Sequence, residues 1–196
     1  MKLYSYWRSS CSYRVRIALG LKGQAWETVP VHLVKGAQKS EAYRAVNPSG
    51  LVPTLELSDG SRLTQSLAII DWLDATWPDP PFLPEASLLR ARVLAASHII
   101  AVDVQPVTNS GTVAEFRARG GTDEAAGIDW MVHWMTKGLG AFQATISTGT
   151  AYAFADAPGL ADICLVPQLY NARRWGVDLA PFERLTEIET RCLALP

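Results

Sequence analysis

Four prolines within seven residues, Pro78, Pro80, Pro81 and Pro84, interrupt the chain and separate two regions of different periodicity. Proline fixes φ and has no N–H, so neither a helix nor an interior strand runs on through such a stretch. It reads as a stiff linker. Before it, residues 1–77 alternate strand and helix signals, as an α/β domain should. After it the pattern is helical, punctuated by Gly120-Gly121, Thr148-Gly149 and Gly176. The organisation predicted is an α/β domain over 1–77, a linker over 78–86 and an all-α domain over 87–196.

Within the first region, Lys2–Tyr6 reads as a strand and Ser12–Lys22 as a helix. Val15, Ala18 and Leu19 share one face of that helix, Ile17 and Leu21 widen it, and Gly23 follows its end. Thr28–Val31 and Leu51–Leu57 are further strands, and Asp59-Gly60 turns the second of them back into Arg62-Leu63. A helix then starts at Ser66 and carries Leu67, Ile70, Leu73 and Trp77. In the second region, Leu160–Pro167 is apolar apart from Asp162, so this helix belongs inside its domain. A buried carboxylate needs donors. From the first helical turn, Asp162 accepts backbone N–H groups around the N-cap, a structural role. Pro167 should bend the same helix.

Composition narrows the function classes. Of 196 residues, 48% are hydrophobic and 19% charged, which suits a packed core, and the net charge of -1 excludes a basic footprint for nucleic acid or a polybasic membrane patch. No apolar run approaches the roughly 20 residues that span a bilayer. Met1-Lys2-Leu3-Tyr4 lacks a signal-peptide core, so a soluble, cytoplasmic protein is expected. Cys11, Cys164 and Cys192 cannot form a disulfide framework, and His32, His98 and His133 lie far apart, so no metal is expected.

Four stretches carry chemistry. In Ser9-Ser10-Cys11-Ser12 a hydroxyl-rich turn opens a helix. Its serines are either ordinary caps or, beside free N–H groups, donors that lower the pKa of a thiol. Cys11 is either a reactive thiol or a small turn residue, and no second cysteine near it makes a CxxC pair. Val52-Pro53 opens a strand. Pro53 is either an edge proline or a cis one that presents the Val52 main chain to an extended peptide. Gln65-Ser66 stands at a helix start, either as a cap or as a carboxylate holder. Arg173-Arg174 closes the apolar helix, either countering its dipole or binding a substrate carboxylate.

Taken together and in this order, these motifs resemble the glutathione transferase superfamily along the whole chain. The stretch Ser9-Ser10-Cys11-Ser12-Tyr13-Arg14-Val15-Arg16-Ile17-Ala18-Leu19 is similar to the zeta-class signature SSCxxRVRIAL without departure. That resemblance implies a thioredoxin-like α/β N-terminal domain, an all-α C-terminal domain and glutathione as cofactor. It also implies a homodimer, while charge and hydropathy already gave no reason to expect a nucleic-acid or membrane partner. The activity implied is isomerisation of a cis-diacid, maleylacetoacetate to fumarylacetoacetate, with maleylpyruvate isomerisation or transfer to α-halo acids as alternatives. The intact motifs argue against a non-catalytic binding module. By the same resemblance Ser9 is the catalytic serine, and Ser10 and Cys11 complete its pocket. Val52 and Pro53 meet the cysteinyl unit of glutathione, Gln65 and Ser66 its γ-glutamyl end, and Gln38 its glycyl end. Gln105 and Asn109 reach the same site, and Arg8 and Arg174 hold substrate carboxylates. One position departs from the family: the buried helix usually has Ser or Thr at its N-cap, and here it has Gly159.

Overall fold

A computed structural model describes residues 1–195 and divides the chain into two compact units, Met1–Pro81 and a second beginning at Phe82. In the first unit, strand β1 (Lys2–Ser5) leads through helix α1 (Ser10–Leu21) to strand β2 (Glu27–Pro30), which lies parallel to β1. Two single-turn 3-10 segments, Leu33–Lys35 and Ala37–Lys39, precede a short helix α2 (Glu41–Val46), whose start is capped by the Ser40 hydroxyl. Strands β3 (Thr54–Glu56) and β4 (Arg62–Thr64) form a hairpin around Asp59-Gly60, and helix α3 (Ser66–Thr76) follows. The sheet order is β2-β1-β3-β4, with β3 antiparallel to both β1 and β4. This is the thioredoxin-like plan expected of the first region.

The boundaries differ where local chemistry decides. Helix α1 begins at Ser10, two residues before the predicted start, because Ser9 is extended and caps the turn with its own hydroxyl. Leu51–Pro53 is loop and not strand, since Pro53 has no N–H to give a ladder. Leu3 and Leu55 of the sheet and Val15, Ala18, Leu19, Ile69, Ile70 and Leu73 of α1 and α3 are buried together. Each large side chain of this kind contributes about 1.5–3 kcal/mol on leaving water. Helices α1 and α3 also meet through charge: Lys22 Nζ donates to Asp74 Oδ1 at 2.8 Å and to the Pro80 carbonyl at 2.6 Å.

The described residues of the second unit are helical, without strands. Helix α4 (Ser87–His98) continues as a π-helical segment, Ile99–Val104, into the short α5 (Gln105–Val107). Then come α6 (Ser110–Gly120), α7 (Glu124–Thr145), α8 (Leu160–Arg174) and α9 (Glu183–Leu193). Helix α8 is the core element, as its composition predicted: Leu160–Leu169 are buried throughout, and α4, α7 and α9 pack around them. The helix passes through Pro167 without ending. Asp162 is buried, and its Oδ2 and Oδ1 accept the N–H groups of Gly159 and Ala153, each at 2.9 Å. No helix among the described residues is long and apolar enough to cross a membrane.

Candidate active site

The register of the sheet brings three of the sequence motifs to one end of the first unit. Tyr4 of β1 pairs with Thr54 of β3, and Thr54 with Thr64 of β4. The turn leaving β1, the loop entering β3 and the turn leaving β4 therefore emerge side by side. They carry Arg8–Cys11, Val52-Pro53 and Gln65-Ser66.

In the first turn, the Ser9 backbone is extended (φ -74°, ψ 120°) and its Oγ accepts the Ser12 N–H at 3.2 Å. The capping reading of Ser9 thus holds, and it does not exclude the chemical one. A hydroxyl that accepts one bond keeps its proton to donate. Ser10 is buried and Cys11 half-buried in the first turn of α1, where backbone N–H groups have no intrahelical acceptor. Arg8 is steadied by its neighbours. Its Nη2 donates to the Tyr6 hydroxyl at 3.1 Å, and its guanidinium lies 4.9 Å from the Trp7 ring centre.

In the loop before β3, the Val52–Pro53 bond is cis, as the second motif's functional reading required. The loop is pinned from behind, because the Leu51 carbonyl accepts from Tyr43 Oη at 2.7 Å and Asn47 Nδ2 at 2.8 Å. Burial pushes the Tyr43 phenol above its ordinary pKa, so it stays a proton donor. Among the described residues no hydrogen bond engages the main chain of Val52. Gln38 approaches the same loop: a Cβ on Gly50 (φ +64°) would stand 3.0 Å from the Gln38 carbonyl, so a side chain there is both strained and crowded. The Gln38 Oε1 is buried without a hydrogen-bond partner.

In the third turn, Gln65 is the only non-glycine among the described residues with positive φ (67°), a conformation that costs about 1–3 kcal/mol. Ser66 follows as the first residue of α3 and does not act as its cap. Its Oγ instead accepts from Arg14 Nη1 at 3.3 Å. The same nitrogen lies 3.9 Å from Cys11 Sγ. Arg14 thus joins the first and third turns. Arg14 belongs to the signature stretch, but its place between the two turns follows only from the packing of α1 on α3.

The remaining predicted residues lie in the second unit. Gln105 opens α5, and Asn109 caps α6 with Oδ1 accepting the Gly111 N–H at 2.9 Å. Arg174 ends α8 with its guanidinium 4.5 Å from the Trp175 ring centre.

Residues 8–76 match the family model of the glutathione S-transferase N-terminal domain. Over 196 residues the chain is 49% identical to the maleylacetoacetate isomerase of Rhizobium meliloti, covering 98% of this chain and 91% of that protein. The chain belongs to the zeta-class glutathione transferase family. Among solved structures, a holo maleylpyruvate isomerase described as a bacterial zeta-class enzyme is 40% identical with a TM-score of 0.96, over 100% of this chain and 93% of that one. A maleylacetoacetate isomerase of Methylobacterium extorquens AM1 with bound malonate and GSH is 34% identical with a TM-score of 0.95, over 100% and 92% of the two chains. Zeta-class membership accounts for both domain types and for the unbroken signature over Ser9–Leu19.

Proposed function

We propose that this zeta-class enzyme is a glutathione-dependent cis–trans isomerase that converts maleylacetoacetate to fumarylacetoacetate in aromatic amino-acid catabolism. The observation that carries the reading is the convergence at one sheet end of a hydroxyl turn, an unpaired main-chain edge and a serine backed by a buried cation. These match the thiol, the peptide backbone and the γ-glutamyl carboxylate of glutathione respectively. The bound cofactor supplies a thiol that adds reversibly across the cis double bond, which then rotates as a single bond, so that the thiol is regained.

The protein's own groups make this possible. Ser9 would donate a hydrogen bond from its hydroxyl to the sulfur, which favours the thiolate at the start of α1. Ser10 and Cys11 close the pocket around it. Val52, ahead of Pro53, pairs main chain to main chain with the tripeptide as an added strand does. Gln65 and Ser66 hold the γ-glutamyl end and Gln38 the glycyl end. From the second unit, Gln105 and Asn109 are assigned to the cofactor. Arg8 and Arg174 would bind the carboxylates of the diacid and hold the substrate in place until isomerisation is complete. The enzyme works as a cytoplasmic homodimer, which sedimentation at twice the mass of one chain checks.

The test supplies maleylacetoacetate, and in parallel maleylpyruvate, in large excess over glutathione and titrates free thiol at the end. The expected result is that maleylacetoacetate is the faster substrate and is consumed with thiol undiminished. Thiol lost one-for-one with substrate would make the protein a conjugating transferase.

A further inference from the structure

Helix α1 carries two buried cations, and they are treated differently. Lys22, at its C-terminal end, meets Asp74 of α3 at 2.8 Å, a carboxylate supplied by the fold. Arg14, at its N-terminal end, is 1% exposed, and none of the ion pairs among the described residues includes it. Its Nη1 reaches a neutral hydroxyl, Ser66 Oγ, and its Nε and Nη2 are buried with no hydrogen-bond partner. A buried guanidinium without a counter-charge costs several kcal/mol, so an anion that completes it gains more than it would at a solvated cation.

We infer that Arg14 is a positioning residue for the α-carboxylate at the γ-glutamyl end of glutathione, acting through Ser66. The inference rests on the glutathione reading above. The geometry gives the means. By donating to Ser66 Oγ, Arg14 occupies a lone pair of that oxygen and leaves the hydroxyl proton to point away, toward a ligand at the start of α3. Without the guanidinium, a serine in the first turn of a helix turns its hydroxyl to local backbone acceptors. The positive charge also adds to the field of the α3 N-terminus, where the exposed, strained Gln65 precedes the buried Ser66. Arg14 touches neither substrate nor sulfur in this scheme. It sets the orientation and the charge that Ser66 presents.

The experiment is equilibrium binding by calorimetry of two ligands, glutathione and 4-aminobutyryl-cysteinyl-glycine, which is the same tripeptide without the α-carboxylate. Wild type is expected to favour glutathione by about 10- to 100-fold, the span of one charge-assisted hydrogen bond. In Arg14→Met that preference collapses to within about threefold while the analogue binds as before, Arg14→Lys recovers part of it, and Ser66→Ala adds nothing to Arg14→Met. Equal weakening of both ligands, or a lowered Tm with the preference intact, makes Arg14 a structural residue and overturns the inference. If Arg14→Met does not fold, the cycle of Arg14→Lys with Ser66→Ala decides. Coupling seen with glutathione and absent with the analogue supports the inference, and additive losses reject it. Failure of wild type to bind glutathione at all instead sinks the parent reading and is seen before any variant is made.

Discussion

Each unit buries one charged side chain in the first turns of a helix, Arg14 in α1 and Asp162 in α8, and the two differ in how far their own chain satisfies them. Both carboxylate oxygens of Asp162 accept backbone N–H groups at 2.9 Å, from Gly159 and from Ala153. Arg14 has one oxygen partner, Ser66 Oγ at 3.3 Å, and two nitrogens left over. A side chain whose polar atoms all meet backbone groups fastens a scaffold, whereas one with unpartnered buried donors leaves its orientation and charge to act on a neighbour. The second unit therefore shows a buried carboxylate met on both oxygens by its own backbone, and the first a buried guanidinium that its own chain meets only in part.

The largest expected effect breaks the comparison on its finished side. Asp162→Ala strips two buried N–H groups of a charged acceptor, and at about 1.5–3 kcal/mol for each such bond the loss is roughly 3–6 kcal/mol, a large share of ordinary domain stability. Urea unfolding should show it, and a change below about 1 kcal/mol would mean that Asp162 is no fastener. The titration has a sign as well. Burial pushes the Asp162 carboxyl above its ordinary pKa, against the pull of the backbone donors. A raised pKa in the folded state contributes stability below the ordinary aspartate range that is lost as pH rises through the raised value. Relative to Asp162→Asn, which does not titrate, wild type should lose stability across that window.

How much of this was legible in the sequence differs between the same two places. The Asp162 helix was readable because a lone carboxylate in an apolar run has few solutions. Only its second donor, Ala153, was out of reach, since that contact depends on how the segment before the helix folds back. The α/β pattern of the first region was likewise clear from alternating periodicities. The short helix α2 and the two 3-10 turns before it were not read, because segments of three to six residues carry no usable period. Arg14 was missed for another reason. Its contact with Ser66 spans 52 positions, and nothing local tells a buried arginine from a solvated one. The start of α3 at Ser66 was readable from its period, whereas the cis Val52–Pro53 bond was anticipated only through family resemblance, as the local sequence favoured an edge proline.

A middle-sized effect probes the unfinished side. Ser9 caps α1 with a lone pair, and the proposed function adds a hydrogen bond from its hydroxyl to the thiol. Ser9→Ala should lower the isomerisation rate by about 10²–10³, the usual loss of one preorganised donor. It should also cost about 1 kcal/mol of stability, the usual loss of a serine cap. Glutathione affinity should stay near wild type, because Val52, Gln65 and Ser66 remain. Single-turnover rates and thermal melts separate the two losses. Cys11→Ala should be milder in rate, since the cofactor brings its own sulfur. If Cys11→Ala is inactive while Ser9→Ala turns over, the roles are exchanged.

The smallest effect concerns the position where this chain departs from its family. Gly159 stands where relatives of this class usually place Ser or Thr as the cap of the buried helix, and a serine there would ordinarily gain a few tenths of a kcal/mol over glycine. The structure argues against that gain. A Cβ on Gly159 would lie 3.0 Å from the Phe82 carbonyl oxygen, a backbone atom that already accepts the Leu160 N–H at 2.9 Å. Two orphan donors of the helix start are thus met without a cap side chain, one by Phe82 and one, the Gly159 N–H, by Asp162. Gly159→Ser adds an acceptor for the N–H groups of Ala161 and Asp162 but crowds the Phe82 carbonyl, a backbone atom that already holds the Leu160 N–H. The expected outcome is a stability change between zero and about 1 kcal/mol, in the unfavourable direction, with activity unchanged. A clear gain in Tm would show that the Phe82 carbonyl yields easily, and that α8 is finished less completely than Asp162 suggests.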